Sequence, residues 1–379
     1  NIDIIDDLWV SNFMWYLIRP DAELVWRDKI VRERLKRYYS ILKKKKYARY
    51  LIAKKFPVEF ESNANLETLW DLHSLAQRKF KDFVNRVDNN KIDLSSLETP
   101  ETSYLDLKIE IAKKLLTSCI FCEWRCKVNR LDGKRGVCGV GEIAHVSSAF
   151  LHMGEESPLV PSGTIFFSGC PFKCVYCQNY DISQHPNLGE EVTPKLLAKI
   201  ADGLATDGAR NINYVGGDPI PNTHIILESL KYQTKNIPQL WNSDLYNSTE
   251  SLLLLLDIID IWLPDFKYGN SKCALRLSKI PNYFEIVSRN HKMIADFGGE
   301  TIIRHLVLPS HIECCSLPVL EWISKNFPNA LVNIMKQYRP MYKAFEEQYS
   351  EIQRPPSKDE MNKVYDFADE VGLVWRPVS

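Results

Sequence analysis

Thr164-Ile165-Phe166-Phe167-Ser168-Gly169-Cys170-Pro171-Phe172-Lys173-Cys174-Val175-Tyr176-Cys177-Gln178-Asn179-Tyr180 is the stretch from which the fold can be read. Its first four residues are β-branched or aromatic and predict a strand, which Ser-Gly ends. Three cysteines follow directly, spaced C-x3-C-x2-C. Thiolates are soft ligands suited to iron–sulfur clusters. A four-iron cube held by three local cysteines leaves one iron open, a position at which a small molecule can coordinate. A structural zinc site wants four protein ligands, so zinc here would have to recruit a distant residue.

Downstream, short β-rich runs at 164–167, 211–215, 239–241, 258–263, 301–308 and 330–335 alternate with amphipathic segments such as 194–204 and 220–232. That alternation predicts βα units and a parallel sheet. Six units make a partial (β/α)6 barrel rather than a full eight-unit one. Each strand is followed by polar residues: Gly169-Cys170, Gly216-Gly217-Asp218, Asn242-Ser243-Asp244, Asp265 with Lys267, Arg304 with His305, and Lys336-Gln337-Tyr338. In parallel α/β folds sites form at the carboxyl ends of strands, so this ordering points to an enzyme independently of any single motif.

The triplet resembles the signature of the radical S-adenosylmethionine superfamily. The resemblance implies that Cys170, Cys174 and Cys177 hold a [4Fe-4S] cluster and that its open iron binds the amino and carboxylate groups of S-adenosylmethionine. One electron, from a donor such as flavodoxin or ferredoxin, then gives methionine and a 5′-deoxyadenosyl radical that abstracts hydrogen from a substrate. Tyr176 sits where an aromatic packs on adenine in that superfamily. Gly216-Gly217-Asp218-Pro219 resembles the GGE element that receives the methionyl amine, with Asp one methylene shorter than Glu. Asn242 lies where ribose or carboxylate contacts arise, and Asp265-Phe266-Lys267 resembles the D-x-K element of glycyl-radical activating enzymes. The stretches 152–156, 162–167, 177–180, 216–219, 262–269, 303–309 and 337–340 look like one branch, the relatives of pyruvate formate-lyase activating enzyme. The resemblance covers residues 115–375 and implies hydrogen abstraction from a glycine of a partner protein, or from another peptide, lipid or metabolite.

Upstream, Cys119-x2-Cys122-x3-Cys126-x11-Cys138 lies in a segment rich in turn formers. Four thiolates at such spacing fit zinc or a second iron–sulfur cluster. Arg125, Lys127, Arg130, Lys134 and Arg135 surround them, either tuning a potential or simply solvated. Ten cysteines in a reducing compartment read as ligands or catalysts rather than disulfides. Of the remaining three, Cys273 reads as packing, and Cys314-Cys315 read as small buried residues, because vicinal cysteines are poor joint ligands for one metal.

Residues 1–100 read as a helical, basic N-terminal extension, 101–163 as a Cys-rich segment and 164–379 as the barrel. Positions 27–55 carry thirteen Lys and Arg against Asp28 and Glu33. They form either a docking surface for RNA, an acidic protein or lipid, or a solvated helical face whose interleaved apolar neighbours cover the core. A helix is expected over 66–87 and a polar linker over 88–102. With 48 basic and 48 acidic residues the net charge is zero, which argues against wholesale nucleic-acid binding. The start Asn1-Ile2-Asp3-Ile4-Ile5-Asp6-Asp7 lacks the basic region of a signal peptide, and no run of about 18 apolar residues occurs, so a cytoplasmic protein without a membrane span is expected. The competing reading is a non-enzymatic iron–sulfur or zinc protein that binds RNA or a protein through its basic helices. Arg304 is either a clamp for a carboxylate or phosphate or half of a buried ion pair. Gln337 and Tyr338 either touch substrate or seal the barrel. Glu155 and Glu156 either approach the cluster region or, as is expected here, are surface charge.

Overall fold

Strand β1 (Ala144–His152) pairs antiparallel with β2 (Ser162–Phe167), and β3 (Glu190–Val192) flanks β1 on its other side. From β2 the sheet continues in parallel through β4 (Ile212–Gly216), β5 (Gln239–Trp241) and β6 (Ile261–Trp262). Strands β7 (Ile302–Leu306) and β8 (Leu331–Met335) pair in parallel, and bridges Trp262↔Thr301 and Asp265↔Arg304 join them to β6. The parallel set β2-β4-β5-β6-β7-β8 is the expected partial (β/α)6 barrel, with helices such as Pro194–Thr206, Thr223–Tyr232, Thr249–Leu256 and Leu317–Asn326 between strands. This computed structural model describes residues 15–379. The acidic start at 1–7 and the first fourteen positions of the helical extension lie outside the described residues.

Two strand expectations need correction. β6 is two residues long instead of six. Asp260 turns its carboxylate to the N–H groups of Gln239 and Arg49 (3.0 Å each), and Pro264 brings no donor to a ladder. β1 was not expected at all, since Ser147, Ser148 and Ala149 weaken its β character.

The basic segment is a helical face whose apolar neighbours cover the core, with only part of its charge left in solvent. Its helices lie across the amino-terminal ends of the strands. Trp26, Val31, Leu35 and Tyr38 pack in one apolar cluster with Leu240, Ile261, Ile302 and Leu331, residues from the starts of β5–β8. Many of its cations fasten that layer down. Arg37 pairs with Asp260 (2.9 Å) and Asp88 (3.2 Å), Lys46 also with Asp88 (3.1 Å), and Arg34 donates to the Ala330 carbonyl (2.7 Å). Lys54 reaches the Gln233 carbonyl and Lys55 that of Leu97. Arg27, Lys29, Arg32, Lys36, Lys43, Lys44 and Lys45 remain exposed.

The helix Leu66–Asp88 follows the 3.6-residue pattern and is capped by Asn65, which accepts from Thr68 N–H (2.9 Å). It carries His73 into a buried network. Lys108 Nζ lies 2.8 Å from His73 Nε2 and 3.3 Å from Asp257, and Tyr104 donates to the same carboxylate (2.8 Å). Among the described residues no helix is long and apolar enough to cross a membrane.

Candidate active site

At the carboxyl end of β2 the chain turns through Gly169, whose φ of +88° and whose hypothetical Cβ, 2.4 Å from Val140 Cγ2, admit only glycine. The three thiols then follow. Cys170 and Cys174 are buried, and Cys177 is half-buried. Their polar neighbours are few: Phe172 N–H to Cys170 (3.3 Å), Ser278 Oγ at 3.0 Å from Cys174, and Ser183 Oγ at 3.4 Å from Cys177. Burial pushes all three thiols up. Asp244 and Asp218 push Cys170 further, and Asp244 also raises Cys174. Two buried thiols and a half-buried one with so little polar support suit a site where a metal supplies positive charge.

The Gly216-Gly217 pair lies directly beneath this loop. A Cβ on Gly216 (φ +123°) would meet the Phe167 carbonyl oxygen at 2.1 Å, and one on Gly217 would meet that of Gly169 at 2.3 Å. Backbone hydrogen bonds use this closeness: Gly217 N–H to Phe167 O (2.7 Å) and Asp218 N–H to Gly169 O (3.1 Å). The glycines therefore dock the end of β4 on the cysteine loop. Asp218 is buried and accepts from the N–H groups of Ile220 (2.8 Å) and Asp244 (2.9 Å). Burial, and next the Asp244 charge, raise its pKa.

Asp244, named in the sequence only as part of the strand-end run 242–244 and given no role there, is the hub of the site's charge. Lys267 pairs with it and with Asp265. Burial pulls Lys267 down, but the two carboxylates outweigh it and hold the ammonium well above its usual pKa. Asn242 accepts from Arg304 (3.4 Å), while its buried Nδ2 has no partner.

Arg304 faces Glu156 (3.3 Å), Glu155 (3.7 Å) and Asp265 (3.8 Å). Glu155 and Glu156 are not surface charge. They are 7% and 5% exposed and reach inside the barrel to Asn213 (3.0 Å) and Asn333 (2.6 Å). His305 points the other way, between the Phe266 carbonyl (2.8 Å) and Ser316 Oγ (2.9 Å), as strand alternation requires. Tyr176 hydrogen-bonds Tyr268 (2.5 Å) and meets the ring of Tyr338 edge-on, with 5.6 Å between centroids. Tyr338 donates to the Ile352 carbonyl (2.7 Å).

One cavity of about 260 Å³ is lined by Cys170, Cys174, Cys177, Tyr176, Gly216, Gly217, Asp218, Asn242, Asp265, Lys267, Arg304, Gln337 and Tyr338. Asp244, Ser243, Ser183, Gln178 and Asn179 join them; Ser243 and Asp244 follow a strand and Gln178 and Asn179 follow the last cysteine, whereas Ser183, ending the helix Tyr180–Ser183, carries no such signal. The upstream quartet lies alongside. Trp124 donates to the Pro171 carbonyl (3.0 Å), and Gly169 packs on the Cys138 carbonyl. Cys122 and Cys138 are raised by burial first and then by neighbouring thiols of the quartet. Arg130, 1% exposed, points at Cys119 (4.0 Å), whereas Arg125 pairs with Glu123 and Glu250 (2.7 Å each). Cys273, Cys314 and Cys315 are not simple packing residues either, for their thiols gather around His311.

A partial barrel with a buried cysteine triplet at its carboxyl end defines a class, and residues 164–323 match the model of the Radical SAM superfamily; the chain belongs to that superfamily. It is 45% identical over 346 residues, 90% of its length and 98% of the relative's, to an uncharacterized protein of Methanocaldococcus jannaschii. Among solved structures, Streptococcus suis SuiB bound to S-adenosylmethionine overlaps 54% of this chain at 13% identity and a TM-score of 0.39. This chain spans 47% of SuiB. A domain of pyruvate-formate lyase-activating enzyme from Bacteroides vulgatus overlaps 44% of this chain and 96% of its own length, at 14% identity and a TM-score of 0.35. Membership implies an enzyme with a [4Fe-4S] cluster and S-adenosylmethionine, and it sets aside the non-enzymatic alternative. The residues fit that group: three adjacent thiols, two of them buried, a close-packed glycine pair and the unpartnered Asn242 amide face one cavity.

Proposed function

We propose that Cys170, Cys174 and Cys177 hold the cluster and that the surrounding cavity binds S-adenosylmethionine for hydrogen abstraction from a substrate. The observation that carries this reading is the convergence of the triplet with Asp218, Asn242, Asp265 and Lys267 on one cavity. When bound, the cluster and S-adenosylmethionine supply reductive cleavage to a 5′-deoxyadenosyl radical, with an electron from a flavodoxin or ferredoxin.

The protein's own contribution is placement and charge. Asp218, Asp244 and Asp265 offer carboxyl oxygens to an ammonium on the ligand, with Lys267 offsetting part of their charge. The Asn242 amide, a buried donor without a partner, is satisfied by a carboxylate or ribose oxygen. Tyr176 offers a ring face to adenine. Arg304, Gln337 and Tyr338 line the same cavity and are assigned to substrate. Apolar walls at Phe172, Val215, Leu306 and Met335 exclude water from a reactive intermediate.

Activation of a glycyl-radical enzyme rests on the Asp265-Phe266-Lys267 element, whose Lys267 is drawn to Asp244 and Asp265. Metal at the upstream quartet is supported by the mutual influence of its thiols, since after burial Cys138, Cys119 and Cys126 each push Cys122 up, with zinc and a second cluster both compatible. The test is anaerobic reconstitution followed by dithionite and S-adenosylmethionine. Wild type is expected to form 5′-deoxyadenosine and Cys174→Ala none. Absence of product from wild type with an intact cluster refutes the reading.

A further inference from the structure

On the outer side of the Lys267 loop lies a second constellation. Cys273 sits in the first turn of the helix Ser271–Ser278, and His311, Cys314 and Cys315 lie in and before the π-helical turn Ile312–Ser316. We propose that Cys273, His311, Cys314 and Cys315 form a closed tetrahedral site for one zinc ion, with Nδ1 of His311 as the nitrogen ligand.

The spacings are those of one ion's coordination shell. With Zn–S about 2.3 Å and Zn–N about 2.0 Å, a tetrahedron has S···S edges of about 3.8 Å and S···N edges of about 3.5 Å. The observed edges are Cys273–Cys314 3.8 Å, Cys314–Cys315 3.8 Å, Cys273–His311 Nδ1 3.7 Å and Cys314–His311 Nδ1 3.3 Å. All four ligand atoms lie within 4.8 Å of one another, the one such group of three or more among the described residues. The radical triplet and the upstream quartet are not gathered this closely.

Vicinal cysteines diverge on an ordinary α-helix. Here the π turn, closed by Ser316 N–H to His311 O (3.2 Å), spreads a turn over more residues and lets both side chains reach one point. The outer shell is also in place. The other ring nitrogen of His311 faces Glu351 at 3.6 Å and has no hydrogen-bond partner. A carboxylate there fixes the ring when Nδ1 binds metal. Asn270 Nδ2 lies 3.3 Å from Cys273 Sγ and donates to the Cys314 carbonyl (2.7 Å), tying the two segments together.

With four protein ligands no position is left for substrate, so the ion is structural. It pins the start of a helix whose far end, Ser278, touches both Cys174 (3.0 Å) and Tyr268 (2.5 Å). The site does not depend on the radical reading.

The test uses the full chain, purified anaerobically, equilibrated with zinc chloride and freed of excess. Zinc and iron per chain are measured for wild type, Cys119→Ser/Cys122→Ser and Cys273→Ser/Cys314→Ser. The last variant is expected to lose about one zinc per chain at unchanged iron, and the quartet variant to keep that zinc. In wild type, exposed Cys314 should resist iodoacetamide until a chelator is added. Immediate alkylation of Cys314 in zinc-replete wild type, a Cys314–Cys315 disulfide by intact mass, or unchanged zinc in Cys273→Ser/Cys314→Ser overturns the proposal.

Discussion

Arg304→Met removes a cation that faces both buried glutamates. Breaking a buried ion pair by deleting one partner costs about 3–5 kcal/mol, because the remaining charge stays in a poor solvent. The size of the loss depends on pH through Glu155. Burial pushes this carboxyl up to about 7, against the downward pull of Arg304. A carboxyl raised on folding loses stability as pH climbs from its unfolded value, about 4.3, to its folded one. Without Arg304 the folded value moves higher still, so the loss continues above pH 7 at about 1.4 kcal/mol per unit. At about pH 5.5 Glu155 is protonated with or without the arginine and drops out of the comparison. The deficit of Arg304→Met should therefore be about 2 kcal/mol larger at pH 8.5 than at pH 5.5. Anaerobic urea unfolding of the cluster-loaded protein, followed by tryptophan fluorescence at both pH values, reads this directly. The double variant Arg304→Met/Glu155→Gln should recover that pH-dependent part, since Gln keeps an acceptor for Asn213. Equal deficits at the two pH values, or a deficit below about 1 kcal/mol at pH 8.5, would refute the placement of Glu155 and Glu156 against Arg304.

Gly216→Ala should cost more than about 2 kcal/mol and lower the iron content of the reconstituted protein, because its Cβ lands 2.1 Å from the Phe167 oxygen at a φ of +123°. Gly203→Ala, in the helix Pro194–Thr206 with nothing within 4 Å, should instead stabilise by about 0.5–1 kcal/mol and leave iron unchanged. Thermal melts and iron assays on both variants distinguish steric docking of the glycine pair from a generic loss of glycine. Lys108→Met leaves Asp257 buried without its cation and should cost about 3–5 kcal/mol in urea unfolding, while Lys113→Met, at an exposed pair with Glu228, should cost less than about 1 kcal/mol.

The parts legible in the sequence were those whose signal is local. Strands β2, β4, β5, β7 and β8 announce themselves by short β-rich runs, and the polar residues after them fall on one cavity because parallel strands share a carboxyl end. What escaped depends on partners far along the chain. Glu155 and Glu156 look like surface charge until Arg304 and the amides of Asn213 and Asn333 come to meet them. The cations of the 27–55 segment look solvated or free to dock because their acceptors, Asp88, Asp260 and carbonyls at 233 and 330, belong to other elements. Cys314 and Cys315 look incompatible as ligands under ordinary helical geometry, and a π turn has no sequence signature that would have said otherwise.

A partial barrel faces a problem that a closed one does not: two of its strands are edges, and exposed edges invite pairing with other chains. At one side β1 covers β2 along an antiparallel register from Ser148↔Phe166 to His152↔Ser162. At the other, Val332 N–H donates to the Val374 carbonyl (3.0 Å) and Ile334 N–H to Ser379 Oγ (2.9 Å), so the carboxy-terminal segment shields β8. Below, the helices carrying Trp26, Leu35 and Tyr38 close the strand starts. The chain leaving β1 then performs a second task, since it delivers Glu155 and Glu156 into the barrel beneath Arg304. Edge protection and charge placement are thus done by the same twelve or so residues, about the span of one short strand and its turn. This couples the stability of the open barrel to the electrostatics of its cavity: loosening β1 withdraws the carboxylates that hold Arg304, and neutralising Arg304 loosens the segment that covers β2.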